Sequence, residues 1–403
     1  MIKSCKNVNI QDADTIYPFV FDCISRHARR YDFRRLLYSF GMKMEDYMTY
    51  LQTFDITVID YVIRDIAVEV AHRIKIRKLN LPPVILRNMM DKTTGKERII
   101  GKESALHQIF DYVAVGASAE VWNRRIVPHQ ASSIPGRGQI YGSRMIQKWI
   151  VRDNRAAKWA RQHNRRYSRK CKYFVKLDIK KCFPSMSMDV FMKFFSRDCG
   201  NDDLIWLWKM LLSSHRVNGY TGFMIGALPS QWGAQYLLTF VYRYAMDLAI
   251  ERRNQRIKLV SHMIFFMDDM SLFSSSRKNL ERAIKKISEY VKTTLGLTIK
   301  SNWSIYDLDH VSVDMMGYVI HRSGKITIRG RDYIHARRIF LRFIALGTAS
   351  LRQANRLLSY KGYFKYSDCR KAAQSMKIDR IFAFCSQVVS YYATKPKQEV
   401  ILC

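Results

Sequence analysis

Asp268 and Asp269 are adjacent carboxylates at the point where an apolar run turns back on itself. Met263-Ile264-Phe265-Phe266-Met267 leads in and Met270-Ser271-Leu272-Phe273 leads out, the pattern of two strands joined by a tight turn. Bringing two carboxylates to about 4 Å from one another costs on the order of 4 kcal/mol at an effective dielectric of about 20, so a divalent cation is the natural remedy. An isolated Asp-Asp pair more often does no more than solvate a turn. A third acid changes that reading, because Asp178 ends another strand-like run, Tyr173-Phe174-Val175-Lys176-Leu177-Asp178. Oxygen ligands at the ends of two buried strands can hold a pair of hard cations, the arrangement that phosphoryl transfer needs.

The elements around these acids must bury a core and meet a polyanion. A chain of 403 residues with 48% hydrophobic and 13% aromatic content is long enough for two or three packed subdomains. Sixty-eight Lys and Arg against 34 Asp and Glu leave a net charge of +34, which self-repels unless a polyanion is the usual companion. Nucleic acid is the first candidate. A membrane is not expected, because no uninterrupted apolar stretch of about 18 residues exists to span one. No apolar leader follows Met1-Ile2-Lys3-Ser4. The eight cysteines, from Cys5 to Cys403, form no Cys-x-x-Cys pair and no Cys-His spacing that suits zinc; they read as reduced thiols of a cytoplasmic protein. The ten histidines read as ordinary core or surface residues.

Along the chain, residues 15 to 75 carry helical periodicity and a basic cluster, Arg26, Arg29, Arg30, Arg34 and Arg35. Leu81-Pro82-Pro83 ends that stretch. Lys96 and Arg98 then alternate with apolar residues after the turn Thr93-Thr94-Gly95, as in a hairpin that projects cations. From Arg144 to Lys172 the spacing predicts one basic helix, with Ile146, Trp149, Ile150, Ala157 and Ala160 inward and a phosphate track outward; Asp153 is its single acid. Residues 276 to 294 predict an amphipathic helix with Leu280, Ala283, Ile284, Ile287 and Val291 on one stripe. Residues 331 to 403 return to basic helices.

Phe266-Met267-Asp268-Asp269 resembles the Tyr-x-Asp-Asp box of reverse transcriptases, and Leu177-Asp178-Ile179-Lys180-Lys181-Cys182-Phe183-Pro184-Ser185 resembles their first palm motif. Further segments follow in the family's own order, over roughly residues 90 to 370. Lys96-Glu97-Arg98-Ile99-Ile100 is similar to the basic fingers segment, and Ile134-Pro135-Gly136-Arg137-Gly138 to a loop of bacterial members. Ile225-Gly226-Ala227-Leu228-Pro229-Ser230-Gln231 occupies the place of the second palm motif, Leu295-Gly296-Leu297-Thr298-Ile299-Lys300 that of the fourth, and Met315-Met316-Gly317-Tyr318 that of the primer-grip hairpin.

The resemblance implies an α+β fold of right-hand polymerase architecture. Its parts are an N-terminal helical extension (1–78), fingers (79–172), an antiparallel-sheet palm (173–330) and a helical thumb (331–403). It implies an RNA-directed DNA polymerase that binds template RNA, a DNA or RNA primer and dNTPs, with an accessory protein or non-coding RNA as a further partner. Two Mg²⁺ ions, with Mn²⁺ as a substitute, are the implied cofactor. Asp178, Asp268 and Asp269 would be catalytic, and Asp178, Ile179 and Asp268 would hold metal. Lys96, Arg98, Phe183, Ile225, Gly226, Gln231 and Lys300 would meet the incoming nucleotide, with Phe183 as a gate against the 2′-hydroxyl. Arg137, Arg165, Arg166, Phe266, Met267, Met316, Gly317 and Tyr318 would meet primer or template.

Many reverse transcriptases have Gln-Gly and Ser-Pro in the second palm motif, where this chain has Ile225-Gly226 and Ser230-Gln231, a form seen in diversity-generating retroelements. That favours an error-prone bacterial or prophage enzyme related to group II intron and retron types. An enzyme of a phage-defence system, a catalytically idle RNA-binding protein on the same fold, and a metal-dependent nuclease are the alternatives.

Overall fold

The computed structural model describes residues 3–91 and 95–394, with backbone alone at 91, 96, 393 and 394. Four helices open the chain: α1 (Ala13–His27), α2 (Tyr31–Ser39), α3 (Met44–Thr53) and α4 (Asp60–Lys75). Asp12 caps α1 by accepting from the Thr15 amide at 2.9 Å, and the buried stripe Ile16, Val20, Cys23 and Ile24 faces inward. The hairpin β1 (Ile85–Asp91) and β2 (Lys96–Lys102) follows; of the predicted turn Thr93-Thr94-Gly95, the two threonines lie outside the described residues and Gly95 has φ of +67°. Next come α5 (Ala105–Ala117), α6 (Ala119–Arg125), β3 (Gln130–Ala131) and α7 (Gln139–Gln162). Helices α1, α4 and α5 pack together, so the N-terminal helices share one continuous core with the centre of the molecule.

The central sheet draws its strands from β4 (Tyr173–Asp178), β7 (His262–Phe266), β8 (Asp269–Ser274) and β9 (Ile305–Asp307), with β3 at one edge. Between β4 and β7 lie α8 (Cys182–Ser185), α9 (Met188–Asp198), α10 (Asp202–Ser214), α11 (Leu228–Asp247) and the small ribbon β5 (Ala249–Arg252) and β6 (Gln255–Lys258). The order is β3-β7-β8-β4-β9, antiparallel throughout except for the short parallel pairing of β3 with β7. Side chains alternate between two cores. Val175, Leu177, Met263, Phe265, Met270 and Leu272 point into the main cluster, beside α11 and α12 (Arg277–Leu295). Phe174, Ile264 and Phe273 point the other way, against Ile146, Trp149 and Ile150 of α7. Burial on both faces is why these strands read as unbroken apolar runs.

A second sheet stacks β10 (Val313–Met315), β11 (Tyr318–Ile320) and β12 (Ile326–Ile328) in that order. Met316 and Gly317 join the first two with φ of +58° and +79°, the left-handed pair that a two-residue hairpin turn requires. The chain then enters α13 (Gly330–Leu346), α14 (Leu351–Leu358), α15 (Lys361–Lys365), α16 (Arg370–Ser375) and α17 (Ile378–Thr394), gathered around Phe340, Leu357, Phe364, Ile381 and Phe382. Among the described residues no helix is long and apolar enough to cross a membrane. Cys403 lies outside the described residues, and the seven described cysteines are unpaired thiols.

One expectation is corrected. The basic helix predicted from Arg144 to Lys172 starts at Gln139 and stops at Gln162. Asn164 takes φ of +50° and the Arg165 amide closes on the Ala160 carbonyl at 2.7 Å, which reverses the chain. Asp153, 3% exposed, holds the returning segment by accepting from the Lys170 amide (2.8 Å), the Cys171 amide (3.3 Å) and the Tyr167 hydroxyl (2.9 Å). The one acid of the basic stretch is therefore a buried anchor.

Candidate active site

Strand register brings the acids to one edge. Asp178, last residue of β4, is the cross-strand partner of Asp269, first residue of β8, and Phe266 of β7 is the other partner of Asp269. Asp268 occupies the two-residue turn with Met267, whose φ is +53°. Burial comes first in raising the carboxyl pKa of Asp268, with the negative charge of Asp178 added and with Arg98 and Lys300 opposing. Burial likewise leads for Asp269, followed by the charges of Asp268 and Asp178. These acids repel one another in a partly dry place. Lys300 sets its ammonium directly on the Asp178 carboxylate, and its amide donates to the Asp178 carbonyl at 2.9 Å. An oxygen-only donor set that already attracts one cation fits a hard divalent ion.

The turn is held by a buried amide network that the sequence analysis missed. Gln130, Gln235 and Thr239 are each 0% exposed. The Gln130 side-chain amide donates to the Gln235 carbonyl at 2.6 Å, and the Thr239 hydroxyl donates to Gln130 Oε1 at 2.7 Å. Gln235 Nε2 in turn donates to the Ser132 carbonyl at 2.9 Å and to the Met267 sulfur at 3.2 Å. With the Met267 amide on the Ala131 carbonyl, this fixes the turn from behind. Two glutamines in otherwise apolar stretches were the available signal.

The other predicted residues fall into groups. Arg98 lies on β2 opposite Met89, close enough for its charge to act on Asp268. Lys96 opens β2, and its side chain lies outside the described set. Ile225 bridges Ile100, with the Gly101 amide donating to the Ile225 carbonyl at 3.1 Å. Ile100, Gly101, Gly226 and Gln231 then line a cavity of about 430 Å³ with Glu103 and Asp111. Gly226 has φ of +106°. Phe183 is half-buried against the main core, and its carbonyl accepts from the Phe223 amide at 2.9 Å. Ile179 is 1% exposed and bridges Ile299, so its backbone carbonyl is the only ligand atom it can offer.

Arg137 donates one N–H to the Val127 carbonyl at 2.9 Å. Met316 and Tyr318 bury their side chains, at 5% and 2% exposure, with Tyr318 against Tyr363. Phe266 is half-buried against the cluster under α7. Arg165 and Arg166 are exposed beyond the end of α7, and Arg165 lies 5.3 Å over the Trp159 ring.

Residues 92–320 match the family described as "Reverse transcriptase (RNA-dependent DNA polymerase)". Among solved structures, telomerase from Candida albicans in complex with a TWJ fragment of telomeric RNA is similar at a TM-score of 0.40 and 11% identity, covering 78% of this chain. The chain spans 62% of the length of that telomerase chain. No curated protein matches.

Proposed function

The chain belongs to the reverse transcriptase (RNA-dependent DNA polymerase) family, and on that premise we propose that it extends a primer along template RNA with dNTPs, at the edge where Asp178, Asp268 and Asp269 meet. The observation that carries this reading is the cross-strand pairing of Asp178 with Asp269 beside the turn that holds Asp268. Reverse transcriptases use divalent metal ions. Asp178, Asp268 and the Ile179 carbonyl would hold Mg²⁺ here, two ions in all. When bound, Mg²⁺ acidifies the primer 3′-hydroxyl and neutralises the triphosphate and the leaving pyrophosphate.

The chain's own residues do the rest. Arg98 and Lys96, on β2 of the hairpin, meet triphosphate oxygens, and Lys300 moves from Asp178 towards the phosphates as a cation or proton donor. Phe183 stacks beneath the incoming sugar and excludes a 2′-hydroxyl. The exposed cations of α7 and of Arg165 and Arg166 track the nucleic acid backbone. The Met316-Gly317 turn would present the hairpin backbone to the primer end.

Primer extension on an RNA template, a DNA template and no template tests the reading. Synthesis on RNA that disappears in Asp268→Asn is the expected result; template-independent strand cleavage would replace it with a nuclease. We further propose the diversifying role, because Ile225 offers the nascent pair an apolar surface where a glutamine would offer hydrogen bonds. Sequenced cDNA should then carry about tenfold fewer errors in Ile225→Gln, each factor of ten being about 1.4 kcal/mol. Equal error spectra would leave Ile225 as packing.

A further inference from the structure

We infer that Glu103, His107, Asp111 and His215 form a second metal site, a closed four-ligand site of the zinc type, separate from the carboxylate hairpin. All four residues are buried, at 5%, 0%, 1% and 0% exposure. Among the described residues, Glu103, His107 and His215 are the one trio whose ligand atoms all lie within 4.8 Å of one another. Glu103 Oε1 is 2.8 Å from His215 Nε2 and 3.8 Å from His107 Nε2. A tetrahedral ion with ligands at about 2.0–2.1 Å sets neighbouring ligand atoms about 3.3 Å apart, between those two separations. The first pair must open and the second close by about half an ångström each to reach that spacing.

Asp111 supplies the fourth ligand. Glu103, His107 and Asp111 recur at intervals of four, which places them on one face of α5 and the turn before it. Both carboxyl oxygens of Asp111 are buried with no donor residue against them; their neighbour is the Glu103 carboxylate, another acid. Leaving such atoms unmatched in a dry interior is costly, and a cation among them removes the cost. Two imidazoles with two carboxylates make a donor set that suits zinc. Glu103 and Asp111 also line the 430 Å³ cavity, which gives an ion its route in.

The site joins three segments. Glu103 follows the last residue of β2, His107 and Asp111 lie on α5, and His215 caps α10. An ion there ties the base of the hairpin to the helical core. Its function is therefore structural.

The test uses the full chain, stripped with chelator and titrated with Co²⁺ in the presence of excess Mg²⁺. The expected result is a visible absorption band of tetrahedral type that saturates at one equivalent and is displaced by Zn²⁺. It should be retained in Asp178→Asn and lost in His215→Ala. Zn²⁺ should also raise the melting temperature by about 2–4 °C. If His215→Ala does not fold, Asp111→Asn decides, since it keeps shape and should lower Co²⁺ affinity by about tenfold or more. No band in the natural chain, a band that disappears with Asp178→Asn, or Asp111→Asn binding Co²⁺ as the natural chain does would each overturn the site.

Discussion

Two groups of acids in this protein are held in opposite ways. At the hairpin, Asp178 and Asp269 are placed by backbone register, and Asp268 by a turn fixed through amide hydrogen bonds from behind. Lys300 and Arg98 stand in front, and the edge is open to solvent. In the interior, Glu103 and Asp111 are placed by packing and meet only histidines and one another. Burial and the neighbouring Glu103 drive the Asp111 carboxyl well above the ordinary carboxylate range. A register-placed acid can lose its charge and leave the fold intact. Glu103, packed against His215, cannot be cut away without stranding that buried ring.

The largest expected effect sharpens that contrast. Asp178→Asn should lower primer extension on the order of 10³-fold with an unchanged melting temperature, because its partly exposed pairing with Lys300 adds little stability. Asp268→Asn should raise the melting temperature, since its carboxyl pays for ionisation in the fold. Next comes Glu103→Ala in metal-free protein, which strands His215 and should cost about 3 kcal/mol in urea unfolding. A cost near zero would break the comparison.

Gln235→Leu probes the support behind the hairpin. It removes the donors to Ser132 and Met267 and leaves Gln130 short of a partner, so unfolding should ease by about 1–3 kcal/mol and extension should weaken with it. Full activity at reduced stability would show that register alone holds the acids. An effect spread over a pH window is expected in acid. His262, stacked on Trp149 at 4.7 Å, has its pKa lowered from 6.5 to about 4 by burial. The unfolded chain therefore binds the proton first as pH falls. Stability from this group is complete above pH 6.5 and declines by about 1.4 kcal/mol per pH unit down to pH 4. His262→Phe should flatten that slope in melting curves taken across the window.

The parts legible in the sequence are those in which neighbours along the chain decide the outcome. The apolar runs around Asp178 and Asp268 announce strands, the stripe from Leu280 to Val291 lies buried on α12, and Met316-Gly317 turns a hairpin. Long-range pairings were not legible. Glu103 meets His215 across 112 positions, and no local periodicity carries that encounter. The bond from Arg137 to the Val127 carbonyl is likewise invisible in composition. The end of α7 was misjudged because only the left-handed turn at Asn164 and the buried charge of Asp153 reveal it.

Gly142 of α7 gives that helix a mechanical role. A side chain there would stand 2.3 Å from the Met316 sulfur, so the methionine is seated against bare backbone. A helix of 24 residues is a rod of about 36 Å, stiff along its axis. Met316 sits at its socket like the tooth of a ratchet pawl. Through that contact the helix sets the position of the β10–β11 turn. A bulkier residue at position 142 would push the methionine from its seat and shift the turn.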